Sequence, residues 1–268
     1  MKTIQRLLTV AVGALALATP AALGAGEQYE PAEHTWSWEG PFGSYDRGEL
    51  QRGFLVYQQV CSACHGLEQL HIRNLGEQGG PFYTEEYPNP NDNPIVRAIA
   101  AEYFIEDGPD EYGDMFERPG RPADRFPSPY ANDAQAAASN GGAIPPDFSV
   151  IVKARHHGPE YIRSLMLGYD YEVPEDVTVA PGQYYNPYMS GGLIAMPPQL
   201  QDGLVEYADG TEATKEQMAH DVVTFLTWAS EPHMEVRKKM GLMVMIYLLA
   251  LAGLLYAAYR QVWSNVKH

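Results

Sequence analysis

The chain has 268 residues, of which 45% are hydrophobic and 11% aromatic, so it can bury one good-sized core and is not disordered overall. Its formal net charge is −16, and residues 27–230 hold 32 acidic and 11 basic side chains, a net charge of −21. A field of that sign disfavours binding to nucleic acid and to anionic lipid surfaces, and it favours a basic partner.

The first 25 residues have the pattern of a secretory signal peptide. A basic start is followed by an apolar run over residues 7–18 and then by small residues. Cleavage is expected near Gly24 or Ala25, which would place residues 26–232 in an oxidising compartment outside the cytoplasm. An organelle presequence is richer in Arg and Ser, so the sequence favours a bacterial periplasm.

A predicted helix leads to the strongest motif of the sequence. Asp46 can cap this helix, and Leu50, Phe54 and Tyr57 recur on it at helical spacing up to Val60. The motif therefore begins where the helix ends.

The motif over residues 61–65, Cys-Ser-Ala-Cys-His, is typical of covalent attachment of a c-type haem. Cys61 and Cys64 can both reach the vinyl groups of one porphyrin as thioethers, while His65 supplies an axial nitrogen to the iron. A disulfide or a thiol-redox pair is the alternative, and neither requires His65. A zinc site would lack ligands, because these two cysteines are the only ones in the sequence. We therefore expect one covalently attached haem c.

The middle of the chain alternates short predicted helices with loops. Helices are expected after Asn93, running through Ile95, Ile99 and Phe104, over residues 131–138, and from Pro159 to Gly168. Residues 102–117 contain seven acidic side chains and no basic one, so this stretch should be exposed. It is either a solvated loop or a docking surface for a basic partner.

A long segment rich in turns, residues 170–212, contains the candidate for a second iron ligand. Met196 follows a pair of glycines that let the backbone approach a ring, and it precedes two prolines that keep the chain extended. A thioether ligand favours ferrous iron and raises the reduction potential. Methionine is more often core filler, so local sequence leaves other ligands open. These are Met115, His156, His157, Met166 and Met189.

Arg155 is the residue of its neighbourhood best suited to bind a haem propionate. Its planar guanidinium group can hold a carboxylate through two hydrogen bonds. An ion pair at the protein surface is the alternative, and local sequence does not decide between the two.

The C-terminal part predicts a helix followed by a membrane anchor. Thr214 and Gln217 form a capping box for a helix that ends at Pro232. Residues 241–259 are 19 residues without a charge, enough to cross about 30 Å of hydrocarbon as a helix. A buried core helix is the alternative. We expect residues 233–268 to be a membrane anchor with one transmembrane helix over about 241–259, and the signal peptide would leave the main domain outside.

Several motifs together resemble the cytochrome c1 family, the haem subunit of the cytochrome bc1 complex, over essentially the whole chain. They are 60–65 (Val-Cys-Ser-Ala-Cys-His), 140–149 (Asn-Gly-Gly-Ala-Ile-Pro-Pro-Asp-Phe-Ser), 153–158 (Lys-Ala-Arg-His-His-Gly), and 185–188 (Tyr-Asn-Pro-Tyr) leading to 196–198 (Met-Pro-Pro). The C-terminal anchor is a further shared feature. The resemblance implies a mainly α-helical c-type cytochrome fold with long loop insertions and one C-terminal transmembrane helix.

The resemblance also assigns roles at the haem. In that family the methionine before the prolines is the sixth iron ligand and the arginine binds a propionate, which implies iron ligation by His65 and Met196 and a propionate contact by Arg155. It places further residues around the haem: Asn140, Ala143, Pro145, Pro146, Ile151, Tyr161, Leu165 and Ile194.

The implied function is electron transfer, and no catalytic side chain is expected. The chain would take single electrons from a Rieske iron–sulfur protein and pass them to a soluble basic cytochrome c, within a complex that also contains cytochrome b. It would thus be the electron-transfer subunit of a quinol–cytochrome c oxidoreductase, anchored by a single pass in a bacterial inner membrane with its main domain in the periplasm. The alternative is an anchored c-type cytochrome subunit of another respiratory oxidase or dehydrogenase.

Overall fold

The computed structural model of the protein describes residues 28–265, and the predicted signal peptide, residues 1–25, lies outside that range. Within it the chain is mainly helical, which confirms the predicted fold class. The helices are α1 (Arg47–Val56), α2 (Pro94–Ala101), α3 (Asp133–Ser139), α4 (Gly158–Leu167), α5 (Lys215–Ser230) and α6 (Met234–Val262). The strands form two antiparallel hairpins, β1 (Phe104–Asp107) with β2 (Phe116–Pro119) and β3 (Tyr184–Tyr185) with β4 (Leu193–Ile194).

Helices α1, α2 and α5 begin where side-chain oxygens satisfy free backbone amides. Asp46 accepts a hydrogen bond from the amide of Glu49 at 3.0 Å, which starts α1. The Oγ1 atom of Thr214 accepts from the amide of Gln217 at 3.1 Å, which starts α5. Asn93 caps α2 in the same way. These three caps were predicted from sequence, because capping is a local interaction.

The exposed acidic stretch over residues 102–117 differs from a simple loop. Helix α2 ends at Ala101, so the prediction that it runs through Phe104 is wrong. Phe104 and Ile105 belong to strand β1, which pairs with β2. Aromatic and β-branched residues favour a strand over a helix, which explains why α2 stops there. The stretch is therefore mostly a β-hairpin, with acidic residues on both strands and in the tip between them.

The core is built mainly around α1 and α5, which cross at close range. A Cβ atom at Gly53 would lie 2.0 Å from the backbone oxygen of Asp221, so only glycine allows this approach. Arg52 forms two hydrogen bonds to the fully buried carboxylate of Asp221, at 3.0 and 3.1 Å, and a third to Asp209 at 2.7 Å. Removing one partner of such a buried ion pair is costly, so these contacts fix α1 against α5. Because α1 leads directly to Cys61, they also fix the haem motif.

Helix α6 is long and apolar enough to cross a membrane. It spans 29 residues, and an 18-residue window within it has a mean hydropathy of 2.2 and is not buried within the protein. Its first turn belongs to the folded domain, since Glu235 accepts hydrogen bonds from Arg47 at 2.8 Å and from the amide of Tyr45 at 3.0 Å. Lys238 donates to the backbone oxygen of Trp38. The helix thus begins before the apolar run.

Candidate haem-binding site

The two cysteines lie on a tight turn at the end of α1. Residues Tyr57–Cys61 form a single π-helical turn, a feature that is frequent at functional sites. The backbone oxygen of Cys61 then accepts from the amides of Cys64 at 3.1 Å and His65 at 3.0 Å. Both thiols are free. The turn therefore holds two sulfur atoms and one imidazole within five residues, as attachment of one porphyrin requires.

The Cys61 thiol is buried. Loss of solvent contact, followed by the proximity of Cys64, raises the pKa of Cys61 to about 12. Thiol-redox cysteines have a lowered pKa instead, because the thiolate is their reactive form. The raised pKa therefore gives no support to a thiol-redox pair.

The His65 imidazole is buried and held in one orientation. Its Nδ1 atom lies 2.8 Å from the backbone oxygen of Pro146 and donates to it, which leaves the Nε2 lone pair available to a metal. Burial lowers the pKa of His65, although the Pro146 hydrogen bond opposes this. The ring is therefore neutral, which is the form that binds metals.

Two further contacts hold His65, and the sequence analysis did not predict either. The ring of Phe148 stacks on the imidazole with centroids 3.9 Å apart and planes 12° from parallel. The hydroxyl of Tyr57 donates to the backbone oxygen of His65 at 3.0 Å. Tyr57 lies on the predicted apolar face of α1, but no local pattern indicates that a residue 83 positions away would stack on His65.

Residues 130–148 return to the motif from the other side. The amide of Phe148 donates to the backbone oxygen of Gly66 at 2.8 Å. Asn140 donates to the hydroxyl of Tyr130 at 2.9 Å. That hydrogen bond opposes the net rise of the Tyr130 pKa, which the nearby Cys64 thiol causes. The structure thus brings Asn140 and Pro146, both expected at the haem, next to the Cys61–His65 turn.

The other residues expected to line the haem are mainly apolar, and most of them keep part of their surface exposed. Ile151 is buried. Those that are half-buried are Ala143, Pro145, Tyr161, Leu165 and Ile194. Neighbouring Ile144 and Val150 are 54% and 39% exposed. Uncovered apolar side chains of this kind are suited to contact with a porphyrin ring.

Met196 follows strand β4 and is half-buried. Its backbone oxygen accepts a hydrogen bond from the Tyr169 hydroxyl at 3.0 Å. No hydrogen bond joins Met196 to the Cys61–His65 turn within residues 28–265. The structure therefore places the two expected iron ligands on separate segments.

The alternative ligands have other surroundings. The Met189 sulfur accepts a hydrogen bond from the Tyr161 hydroxyl at 3.7 Å, and Met166 packs against the core. Met115 is 55% exposed on the acidic hairpin. His157 pairs with Glu30 at 3.3 Å and contacts the ring of His156. Of the candidate ligands, only Met196 lies just after strand β4 and before the two prolines.

Arg155 lies beside a cleft of about 380 Å³ lined also by Tyr161, His156 and residues 28–31. Its guanidinium group is exposed and donates only to the backbone oxygen of Ala154, at 3.2 Å, among the contacts of the described chain. No carboxylate of residues 28–265 pairs with it, so the surface ion pair considered above is not formed there. The group is free to bind an anionic ligand.

These residues fit a covalently attached haem. Two free thiols stand beside a neutral imidazole with an available Nε2 atom, the other residues expected at the haem are mainly apolar, and the guanidinium group of Arg155 pairs with no carboxylate of the described residues. The Cytochrome C1 family model matches residues 36–266. The chain belongs to the cytochrome c1 family.

Three relatives illustrate this membership. Cytochrome c1 of Rhodospirillum rubrum is 44% identical over 284 residues and aligns over all of both chains. The mitochondrial heme protein cytochrome c1-2 of Solanum tuberosum is 48% identical over 257 residues, which cover 95% of this chain and 94% of the relative. Cytochrome b/c1 of Bradyrhizobium diazoefficiens is 46% identical over 275 residues, and this chain spans only 39% of its length.

Family membership confirms the expected cofactor and general role. Cytochrome c1 proteins are haem proteins, and the Cys-x-x-Cys-His motif matches one covalently bound haem c. The family is the haem subunit of the cytochrome bc1 complex, so a membrane-anchored electron-transfer role is confirmed at that level. The roles of individual haem-site residues and the domain boundaries stay predictions.

Proposed function

We propose that this chain is the electron-transfer subunit of a quinol–cytochrome c oxidoreductase. It accepts single electrons from a Rieske iron–sulfur protein and passes them to a soluble basic cytochrome c. Bound haem c supplies an iron that takes up and releases one electron. The observation that carries the proposal is the fixed, neutral His65 ring beside two free thiols at the end of α1.

His65 and Met196 are the proposed iron ligands. His65 presents Nε2 because Pro146 holds Nδ1, and Phe148 keeps the ring plane in place. Met196 is proposed in preference to Met189, whose sulfur accepts a hydrogen bond from Tyr161. If His65 and Met196 both ligated the iron of a bound haem, no position would be left for a substrate, and the chain would act as an electron carrier.

Arg155 and the apolar side chains are proposed to hold the porphyrin itself. The guanidinium group of Arg155, free within the described chain, is suited to a propionate. Tyr161 lines the same cleft, and Leu165 and Ile194 are half-buried apolar residues on α4 and β4. Burying such surface against the ring stabilises the bound state at about 25 cal/mol per Å² of apolar area.

Cytochrome b and the Rieske protein are the proposed partners in the membrane. The relative from Bradyrhizobium diazoefficiens is named cytochrome b/c1 and extends well beyond the part that matches this chain, which supports cytochrome b as a neighbour. Helix α6 offers an apolar surface to such a neighbour, with exposed residues along its length.

The soluble partner is proposed to be a basic cytochrome c. Glu106 and Glu117 lie directly opposite each other on the exposed β1–β2 hairpin. Like charges at opposite positions of a strand pair are unfavourable, so a cationic surface that approaches them is attracted strongly. The net charge of −21 over residues 27–230 adds a long-range field of the same sign.

The location follows from the two ends of the chain. We propose that residues 1–25 are a cleaved signal peptide, that residues 26–232 form the haem domain in the periplasm, and that residues 233–268 anchor it in the bacterial inner membrane. Arg260, at the end of α6, and Lys267, after it, would then remain on the cytoplasmic side.

Purification of the tagged full-length chain from detergent-solubilised membranes tests the proposal. Cytochrome b and a Rieske protein should copurify, and the preparation should reduce added cytochrome c with a quinol as electron donor. The denatured, acid-washed polypeptide should keep its haem spectrum, because only thioether-bound haem survives extraction. Copurification with an oxidase or a dehydrogenase instead would favour the alternative function.

A further inference from the structure

The first described residues form an extended segment that crosses several elements of the fold. We call residues 28–36 the N-terminal strap. At one end, the strap donates two hydrogen bonds to the segment that precedes Met196: Gln28 Nε2 to Tyr188 O at 2.8 Å and Tyr29 N to Pro187 O at 3.0 Å. At the other end, it donates two hydrogen bonds to helix α4: Ala32 N to Ser164 Oγ at 3.1 Å and Trp36 Nε1 to Glu160 Oε1 at 2.8 Å. The strap therefore ties the chain start to both regions.

Three tyrosine rings meet where the strap reaches this segment. Tyr29 lies edge-on to Tyr171 and to Tyr188, with centroid distances of 5.6 and 6.2 Å. Tyr171 and Tyr188 also pack edge-on at 5.9 Å, and their hydroxyl oxygens are 3.1 Å apart. Tyr188 is buried beneath the other two rings. Edge-to-face aromatic contacts of this kind stabilise beyond simple burial.

Tyr188 belongs to the hairpin that leads to Met196. Strands β3 and β4 are two residues each, Tyr188 lies in the connection between them, and Met196 follows the second strand after one residue. Asn186, in the same connection, is fully buried and donates to the backbone oxygen of Leu165 on α4 at 2.8 Å. We call residues 184–196 the ligand hairpin.

This hairpin needs support from outside. An isolated two-stranded hairpin is marginally stable in water, and this one has only two residue pairs. The preceding residues 171–183 have no regular structure to brace it. Asn186 holds the hairpin from the side of α4, and the tyrosine cluster closes it from the side of the strap.

We propose that Tyr29 and Tyr171 are positioning residues for Met196. Their rings hold Tyr188, and Tyr188 holds the ligand hairpin against α4, so that Met196 keeps its place at the iron. This inference rests on the proposed assignment of Met196 as the sixth ligand. It adds a role for the first residues of the haem domain, which contact no part of the Cys61–His65 turn among the described hydrogen bonds.

The test uses the full-length, membrane-bound haem protein and measures whether the sixth position opens. Carbon monoxide binds ferrous haem readily only where the methionine has left, and loss of the thioether lowers the midpoint potential. Tyr29→Leu should raise the fraction that binds carbon monoxide about tenfold, equivalent to about 1.4 kcal/mol. Tyr171→Leu should do the same, and both should lower the potential.

Two control variants separate ring packing from other effects. Tyr29→Phe should behave as the wild type, because the Tyr29 hydroxyl makes no hydrogen bond among the described residues and the ring is retained. Phe42→Leu removes an aromatic ring that is 80% exposed in the same N-terminal region, and it should change neither readout.

Met196→Leu is the reference for the ligand itself. If it leaves carbon monoxide binding and potential unchanged, the ligand assignment fails, and the positioning role fails with it. If Met196→Leu opens the site while Tyr29→Leu and Tyr171→Leu both match the wild type, only the positioning role is overturned. Equal effects of Tyr29→Leu and Tyr29→Phe would also overturn the positioning role, since they would show that the aromatic ring of Tyr29 is not what holds Tyr188.

Discussion

The hydroxyl of Tyr57 donates a hydrogen bond to the backbone oxygen of His65, and the two oxygen atoms are 3.0 Å apart. Both residues are buried. Tyr57→Phe would leave the His65 carbonyl without this donor, which costs about 1–3 kcal/mol for a buried acceptor. We expect a corresponding loss of stability in denaturant unfolding, with the haem still attached. Tyr184→Phe, which removes a partly exposed hydroxyl, should unfold like the wild type.

Replacement of the proposed thioether ligand should change the redox properties and leave haem attachment intact. Met196→Leu should lower the midpoint potential strongly, because the thioether favours ferrous iron. Met189→Leu is the matched control. It removes a sulfur that accepts from Tyr161 and should have a small effect on the potential. The opposite result, a normal potential in Met196→Leu and a low one in Met189→Leu, would reverse the assignment.

The sequence predicted the attachment turn well because its determinants are local. The cap at Asp46, the apolar face that includes Tyr57 and the spacing of Cys61 to His65 all lie within one short segment. The same holds for the start of α5 at Thr214. Capping and helical periodicity depend on neighbours a few residues away, so they are visible without a structure.

The surroundings of the imidazole were less accessible to sequence analysis. Phe148 stacks on His65, and Tyr130 lies near Cys64, but both pairs join residues far apart in the chain. The β1–β2 hairpin was also missed, because the density of acidic residues hid the strand preference of Phe104 and Ile105. Long-range packing decides such features, and a single sequence carries no direct signal of it.

Truncation within α6 should separate anchoring from folding. A chain that ends at Met240 keeps Glu235 and Lys238, which bond to the folded domain, and loses the apolar span. We expect a soluble protein with a normal haem spectrum and wild-type thermal stability. A chain that ends at Ser230 loses the Arg47–Glu235 ion pair as well and should be less stable.

Two measurements check this prediction: release of each truncated protein from the membrane, and the melting temperature of each released domain. Retention of the Met240 form in membranes after an alkaline wash would contradict α6 as the sole anchor. Equal melting temperatures of the two forms would show that Glu235 and Lys238 add nothing to the fold.

A histidine pair should make stability depend on pH. His34 Nε2 lies 2.9 Å from His220 Nδ1, and His220 Nε2 lies 3.1 Å from Glu49 Oε1. Burial, then the charges of Arg163 and His220, lower the pKa of His34 below its ordinary 6.5, while Glu160 and Glu49 oppose the shift. The unfolded chain therefore binds the proton more readily than the folded one.

The sign of the effect follows from that difference. The contribution of His34 to stability is complete above its unfolded pKa of about 6.5 and is lost as the pH falls below it. Denaturant unfolding between about pH 5 and pH 8 should show stability rising with pH, and His34→Gln should flatten the curve. Identical profiles of stability against pH for the wild type and His34→Gln would rule out a contribution of His34.

The β1–β2 hairpin should attract a basic cytochrome c by its negative charge. Some of its carboxylates already bind other groups of the hairpin, and these are poor targets for a test. Asp107 pairs with Arg118, and Asp110 accepts hydrogen bonds from the amides of Tyr112 and Asp114, so both are part of the hairpin itself. Consistent with these contacts, the pKa of Asp107 is lowered chiefly by Arg118. Neutralising either one would disturb the fold and confuse the test.

Glu106 and Glu117 are the better targets, because they face each other across the strands and are exposed. The double variant Glu106→Gln, Glu117→Gln should gain about 0.2–1 kcal/mol in stability from the lost repulsion. Its electron-transfer rate to a basic cytochrome c should nevertheless fall, by roughly 2- to 10-fold at low ionic strength. Glu85→Gln with Glu86→Gln changes the charge equally at another exposed or partly exposed site and serves as the matched control.

Salt separates electrostatic steering from docking by apolar contact. The Debye length shrinks to about 10 Å at 0.1 M ionic strength, so attraction between separated charges weakens while apolar contact is hardly affected. The bimolecular rate of the wild type should therefore fall as salt is added, and the difference between wild type and the Glu106/Glu117 variant should disappear at high salt. A wild-type rate that is flat with salt would rule out steering altogether. If the rate is salt-dependent but only the Glu85/Glu86 variant is slower, steering stands and the docking surface lies away from the hairpin.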